Sequence, residues 1–366
     1  MKKSGPRIAI ISVLLVGMFI FGGVYYVWNT STDIFKPATS SGTGKIIPLE
    51  ISPGETTAQI ADDLQEKGLI RNAVAFRIWA RVKGLDTHLE AGIYNKLNSG
   101  MTISDIIDQL LNAQPDAIRV TILEGWRLEQ IAKQFSSAGI AKFSAKDFLN
   151  YTKHIDRFPD AGKYPLLRSV PQGNSMEGLL FPDSYQVPVR STTTDVVDLM
   201  LTTMSQRINQ YHLDVEAQQH KLNIYQMFIL ASIVEREAGN RNNTADRAGI
   251  SSVYWNRIYK QNDETVGFLQ ADPTVQYARD SQNPPSKYWL PLNDSGGNIA
   301  KDSQWNTYVR QGFPPSPICS PGLASLQSAA APANSDYYYF LSAKDGHVVF
   351  AKTNAEFEQD KQKYLS

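Results

Sequence analysis

Residues 8–28 (IAIISVLLVGMFIFGGVYYVW) carry no formal charge. As a helix rising about 1.5 Å per residue, this run spans roughly 30 Å, the thickness of a bilayer's hydrocarbon core. Lys2, Lys3 and Arg7 precede it, and the next charge is Asp33. The positive-inside rule therefore predicts a cytoplasmic tail over 1–7 and an extracytoplasmic remainder. A cleaved signal peptide would carry a shorter apolar stretch, about 7–15 residues, ending at a small-residue site. This run ends in Tyr25, Tyr26, Val27 and Trp28, side chains suited to the membrane interface. The reading is an uncleaved single-pass anchor in the inner (cytoplasmic) membrane. Residues 29–44, rich in Ser, Thr and Gly, read as a flexible linker.

The remaining chain has the makings of a folded core: of 366 residues, 42% are hydrophobic and 20% charged. Lys+Arg 36 balances Asp+Glu 36, so no overall basic surface points to a nucleic-acid partner. A lone cysteine, Cys319, excludes an intramolecular disulfide and a thiolate zinc cluster, and reads as a buried small hydrophobe. The five histidines form no H-E-x-x-H helix, so no metal is expected.

Three segments share a pattern of Gly followed by helically spaced apolar residues: Gly54, Ile60, Leu64; Gly100, Ile106, Leu110; and Gly125, Ile131, Phe135. The first and third follow β-rich stretches, and Thr56 and Thr102 can cap the ensuing helices. Each unit reads as strand, glycine turn and short helix. It is either a plain packing device or a LysM-like, glycan-holding unit. The third copy opens the next domain. Further along, 175–187 reads as a strand–turn element and 193–215 as an amphipathic helix covering the core.

Residues 223–240 (NIYQMFILASIVEREAGN) give the strongest local signal. Asn223 can cap the start, Gly239 can stop the helix, and 224–234 is apolar nearly all round, which predicts a buried rod. Its first charge is Glu235, in the last turn. Burial and the negative helix end both favour its protonated form, as a general acid requires. The competing reading pairs Glu235 with Arg236, Arg241 or Arg257. Glu237, two residues on, points about 200° away and cannot face it. Residues 303–322 hold four prolines and two glycines, so they predict an ordered irregular loop. Its Trp305, Asn306 and Tyr308 suit either sugar binding or pinning of the loop itself.

The strings IVEREAG, NRI, LQADPTVQY, WNTY, GFPPSPICSPG with ASLQSAAAP, and YYYFLSAKDGHVVFAKT occur in one order. Together, over about residues 45–366, they resemble the YceG-like endolytic murein transglycosylases. The resemblance implies an α+β chain: the anchor over 8–28, the linker over 29–44, a LysM-like α+β subdomain over 45–116, and a mixed α+β catalytic domain over 117–366. It implies cleavage of the MurNAc-β-1,4-GlcNAc bond within peptidoglycan strands without water or cofactor. The product is a 1,6-anhydro-MurNAc end, with a role in terminating or trimming nascent strands and peptidoglycan synthases as candidate partners. The family's catalytic glutamate maps to Glu235, and its polar cleft positions map to Gln270, Asp272, Asn306 and Tyr308. The chain departs from the family's usual pattern at Trp305, Phe313, Ser316 and Phe357. The last stands where a histidine is common and puts any role for that histidine in doubt.

Two other readings stay open. A hydrolytic muramidase on the same substrate needs a second carboxylate, for which Asp272 or Asp183 would serve. A non-catalytic peptidoglycan-binding assembly protein would tolerate loss of Glu235.

Overall fold

A computed structural model of the chain describes residues 36–39, 44–51, 55–84, 92–112, 117–239, 244–292 and 299–365. The apolar run at 8–28, most of the 29–44 linker, Gly54 and Arg241 lie outside the described residues. Among the described residues, no helix is long and apolar enough to cross a membrane. The chain divides into two compact units, 1–117 and 118–366.

In the first unit, β1 (Leu49–Ile51) pairs antiparallel with β2 (Gly92–Tyr94). Between them run α1 (Thr57–Glu66) and α2 (Ala73–Val82), and α3 (Ile103–Asn112) follows. The Thr56 hydroxyl accepts the Gln59 N–H while the Gln59 side chain accepts the Thr56 N–H, a capping box that starts α1. Thr102 and Asp105 make the same exchange at α3. Ile60 and Leu64 of the first repeat, with Ile106 and Leu110 of the second, are buried with Leu49 and Phe76 in one core. The glycine-helix pattern is therefore a core-building device here.

In the second unit, β3 (Ala117–Thr121) leads through a turn at 122–127 into α4 (Leu128–Ser137), the third repeat. Then come α5 (Ala145–Lys153), three 3₁₀ turns and β4 (Ser184–Pro188), which pairs with β3. The helix expected over 193–215 is two: α6 (Thr193–Tyr211) and α7 (Leu213–Gln219). His212 separates them in the left-handed conformation, φ 51°, a break that hydrophobic spacing does not encode. The buried rod is α8 (Ile224–Ala238), capped by Asn223 with Gln226 and ended by Gly239. Around it lie α9 (Thr244–Tyr259), α10 (Asp272–Gln282) and α11 (Leu323–Ala330). The antiparallel pair β5 (Tyr339–Ser342) and β6 (Val348–Ala351) and helix α12 (Asn354–Leu365) complete the unit. Among the described residues the sheets are all two-stranded and helices dominate, so the class is mixed α+β.

A buried acid sits beside the start of α4. Glu177 is 2% exposed, accepts the Leu128 N–H, and its Oε1 has no hydrogen-bond partner among the described residues. Burial first, and then the neighbouring Glu129, push it from the ordinary 4.5 up to about 8. Between those values the folded chain keeps a proton that the unfolded chain has released, so stability falls as pH rises. Glu177→Gln preserves the neutral shape and should flatten that fall. In urea denaturation the variant should match the wild type near pH 5. At pH 8.5 it should exceed the wild type by on the order of a few kcal/mol. An unchanged pH slope would remove Glu177 from the account.

Candidate active site

The last turn of α8 places Glu235 inward at 5% exposure. Opposite it is the proline-rich loop, lashed to α8 by two contacts one helical turn earlier. The Ile318 N–H donates to Ser232 Oγ at 3.0 Å, and Cys319 Sγ donates to the Ser232 carbonyl at 3.4 Å. The loop ends at Gly322, the N-cap of α11, whose N–H donates to Glu235 Oε2 at 3.0 Å. Glu235 therefore lies between the C-terminal end of α8 and the electropositive N-terminal end of α11. Its other oxygen, Oε1, faces Arg247 Nη2 at 3.9 Å. Arg247 is fixed by Ser325 Oγ and the Gly239 carbonyl. Oε2 is thus held by the amide, and Oε1 faces the guanidinium.

A second carboxylate, which the sequence reading did not single out, shares this corner. Glu124 lies in the turn after β3, held by two backbone hydrogen bonds: Gly125 N–H to Ser320 O and Ser320 N–H to Trp126 O, both 2.8 Å. As a residue it is open to solvent, but its carboxylate rests against Gly322, where any Cβ would overlap it. Both acids thus touch one residue. Burial of its carboxylate first, and then the charge of Glu235, raise Glu124 above the ordinary carboxylate range, and Arg247 partly offsets them. One local signal existed: in the third repeat the residue before the glycine is an acid, where Pro53 and Ser99 stand in the other two.

Among the described residues the ion-pair partner of Glu235 is Arg247, not Arg236 or Arg257; Arg241 lies outside the described residues. Arg257 binds the Tyr338 and Leu269 carbonyls, and Arg236 lies over the Trp289 ring at 4.2 Å. Glu237 faces elsewhere, as the helical period requires. It accepts the Tyr254 hydroxyl at 2.8 Å, and burial, with Asp272 adding to it, pushes it up to about 7.

Two of the polar residues proposed for the cleft, Asp272 and Tyr308, lie near Glu237. Asp272, the first residue of α10, accepts the Tyr308 hydroxyl at 2.6 Å. Burial raises Tyr308, and that bond to Asp272 raises it further, to above its ordinary range. Gln270 is exposed with φ 51°, and its N–H is bonded to the Thr307 carbonyl. Asn306 is fully buried: its amide donates to the Ile299 carbonyl and its oxygen accepts the Tyr308 N–H. Those contacts pin the loop. Trp305 likewise spends its indole N–H on Ser316 Oγ at 3.1 Å and packs on Tyr277. Asp183, offered from sequence as a second acid, pairs with Arg207 at 3.4 Å.

Comparison with known proteins matches the YceG-like family over residues 49–363. The endolytic murein transglycosylase of Bacillus subtilis (strain 168) is 31% identical over 329 residues, covering 87% of this chain and 85% of that protein. The endolytic murein transglycosylase of Streptococcus pneumoniae serotype 2 is 26% identical over 377 residues, covering 98% of this chain and 65% of that protein. A crystal structure of a YceG-like protein from Listeria monocytogenes superposes with a TM-score of 0.55 at 29% identity, over 87% of this chain and all of that one.

Proposed function

The chain belongs to the YceG-like family, and we propose that it is an endolytic lytic transglycosylase of peptidoglycan with Glu235 as both acid and base. The observation that carries this is a buried glutamate at the end of α8 with one oxygen held by the Gly322 N–H and the other facing Arg247. The protonated Oε1 donates to the glycosidic oxygen, the C1–O bond of MurNAc breaks, and positive charge develops at C1. The resulting carboxylate takes the proton of the C6 hydroxyl as O6 closes on C1. The 1,6-anhydro ring forms, the acid is regenerated, and no water is consumed.

The uncharged run at 8–28 supports a single inner-membrane anchor that holds 118–366 on the extracytoplasmic face, where murein lies. The repeated glycine-turn units within 45–116 support a LysM-like role in aligning glycan strands, and termination or trimming of nascent strands fits an enzyme tethered at the membrane.

Glu124 gives the hydrolytic alternative a better second carboxylate than Asp272 or Asp183, neither of which contacts Glu235. Paired substitution separates the two readings. With one residue as acid and base, Glu124→Gln should lower strand cleavage about tenfold or less and keep anhydro products. Glu235→Gln should fall well beyond that. Equal losses from both, measured as muropeptide release from purified sacculi, would favour the two-carboxylate hydrolase.

A further inference from the structure

Arg236, the residue after Glu235, is a cation with no assigned work. Its guanidinium stacks on Trp289 at 4.2 Å. Nη1 lies 2.9 Å from where a Cβ on Gly125 would stand, and the same Cβ would lie 3.9 Å from Cγ of Glu235, so the three residues share one corner. The Nε of Arg236 is buried without a hydrogen-bond partner among the described residues. The nearby acids have contacts of their own: Glu235 with Gly322 and Arg247, Glu124 against Gly322, and Glu237 with Tyr254, although Glu237 also feels the charge of Arg236. Arg127, on the neighbouring turn, is instead placed against Glu129 and Ser281.

We propose that Arg236 is a carboxylate subsite beside the cleavage centre, recognising an acidic group of the murein strand. The inference rests on the transglycosylase reading. The Arg236 guanidinium opposes the positive charge that develops at C1 during cleavage. A substrate carboxylate docked on its planar fork cancels that charge as it binds, so recognition and rate rise together. The aromatic face below holds the fork flat, and the missing side chain at Gly125 lets Nη1 lie close beside it. Murein offers two such carboxylates: the lactyl group of a peptide-free MurNAc, and the free carboxyls of a stem peptide. The adjacent Trp289 explains why the position needs an arginine: lysine keeps the charge but neither stacks as a plane nor offers a fork.

The test uses the purified full chain in detergent micelles and four substrates: peptide-free strands as the acid or the lactyl amide, and peptide-bearing strands with free or amidated carboxyls. The wild type should cleave an acid form about 10–100-fold faster, in kcat/KM, than its amide, as expected for a charge-assisted bidentate pair. Part of the difference should lie in kcat. Discrimination on peptide-free strands assigns the lactyl carboxylate, and discrimination only on peptide-bearing strands assigns the stem peptide. In Arg236→Gln the acid-to-amide ratio should collapse to about one, and Arg236→Lys should fall between. A ratio that survives Arg236→Gln, or a wild type that does not distinguish acid from amide, overturns the subsite. Absence of anhydro ends from every wild-type digest would instead defeat the transglycosylase reading itself.

Discussion

Glu235→Gln should abolish strand cleavage while leaving the fold intact. The amide keeps the shape of the side chain, and its carbonyl oxygen still accepts the Gly322 N–H that now holds Oε2. What it loses is the exchangeable proton. A general acid typically contributes about 10²–10⁴-fold, and here the same group also serves as the base, so the loss should reach at least that range. Unchanged thermal unfolding would show that the effect is chemical. Glu237→Gln is the matched control: its carboxylate lies on another face of the same helix, bonded to Tyr254, and it should cost far less. Near-wild-type turnover in Glu235→Gln would remove the residue from the mechanism.

Gly178→Ala should be among the most damaging single-methyl changes in the second unit. Gly178 has φ 79°, which a Cβ makes costly. That Cβ would also overlap the Pro317 ring and meet the Cys319 carbonyl oxygen at 3.0 Å. A proline ring and a backbone carbonyl cannot swing aside as a long side chain can. Overpacking of this kind costs about 1–3 kcal/mol, and the backbone conformation adds about 1–2 kcal/mol. The melting temperature should fall by roughly 5–15 °C for a unit of this size. The strained segment, 317–319, is the one that binds Ser232 and leads to Gly322, so activity should drop even below the melting range. A melting shift under 1 °C would mean the loop has slack that this packing does not show.

Local chemistry made the scaffold of the site readable. Asn223 and Gly239 bracket α8 because capping and helix termination depend on neighbouring residues, and the apolar run between them could only be buried. The same holds for Thr56 and Thr102 as caps. Contacts made by folding were not readable. The N–H that holds Glu235 belongs to Gly322, the facing cation is Arg247, and the second acid is Glu124, each from a different element. Nothing in their local spacing brings them together. Asn306 shows the opposite difficulty: an amide next to aromatic residues in a loop suits a sugar site, yet its contacts hold the loop from inside. His212 divides a helix whose apolar period runs through it, because a left-handed residue changes direction without changing the pattern.

The most direct test of Glu235 as sole acid and base is the fate of solvent oxygen. Digestion of purified glycan strands by the full chain in water enriched in oxygen-18, followed by mass spectrometry of the new ends, should give 1,6-anhydro-MurNAc without label. Cleavage that yields reducing MurNAc carrying oxygen-18 would contradict the account and assign the reaction to hydrolysis, with Glu124 as the second carboxylate.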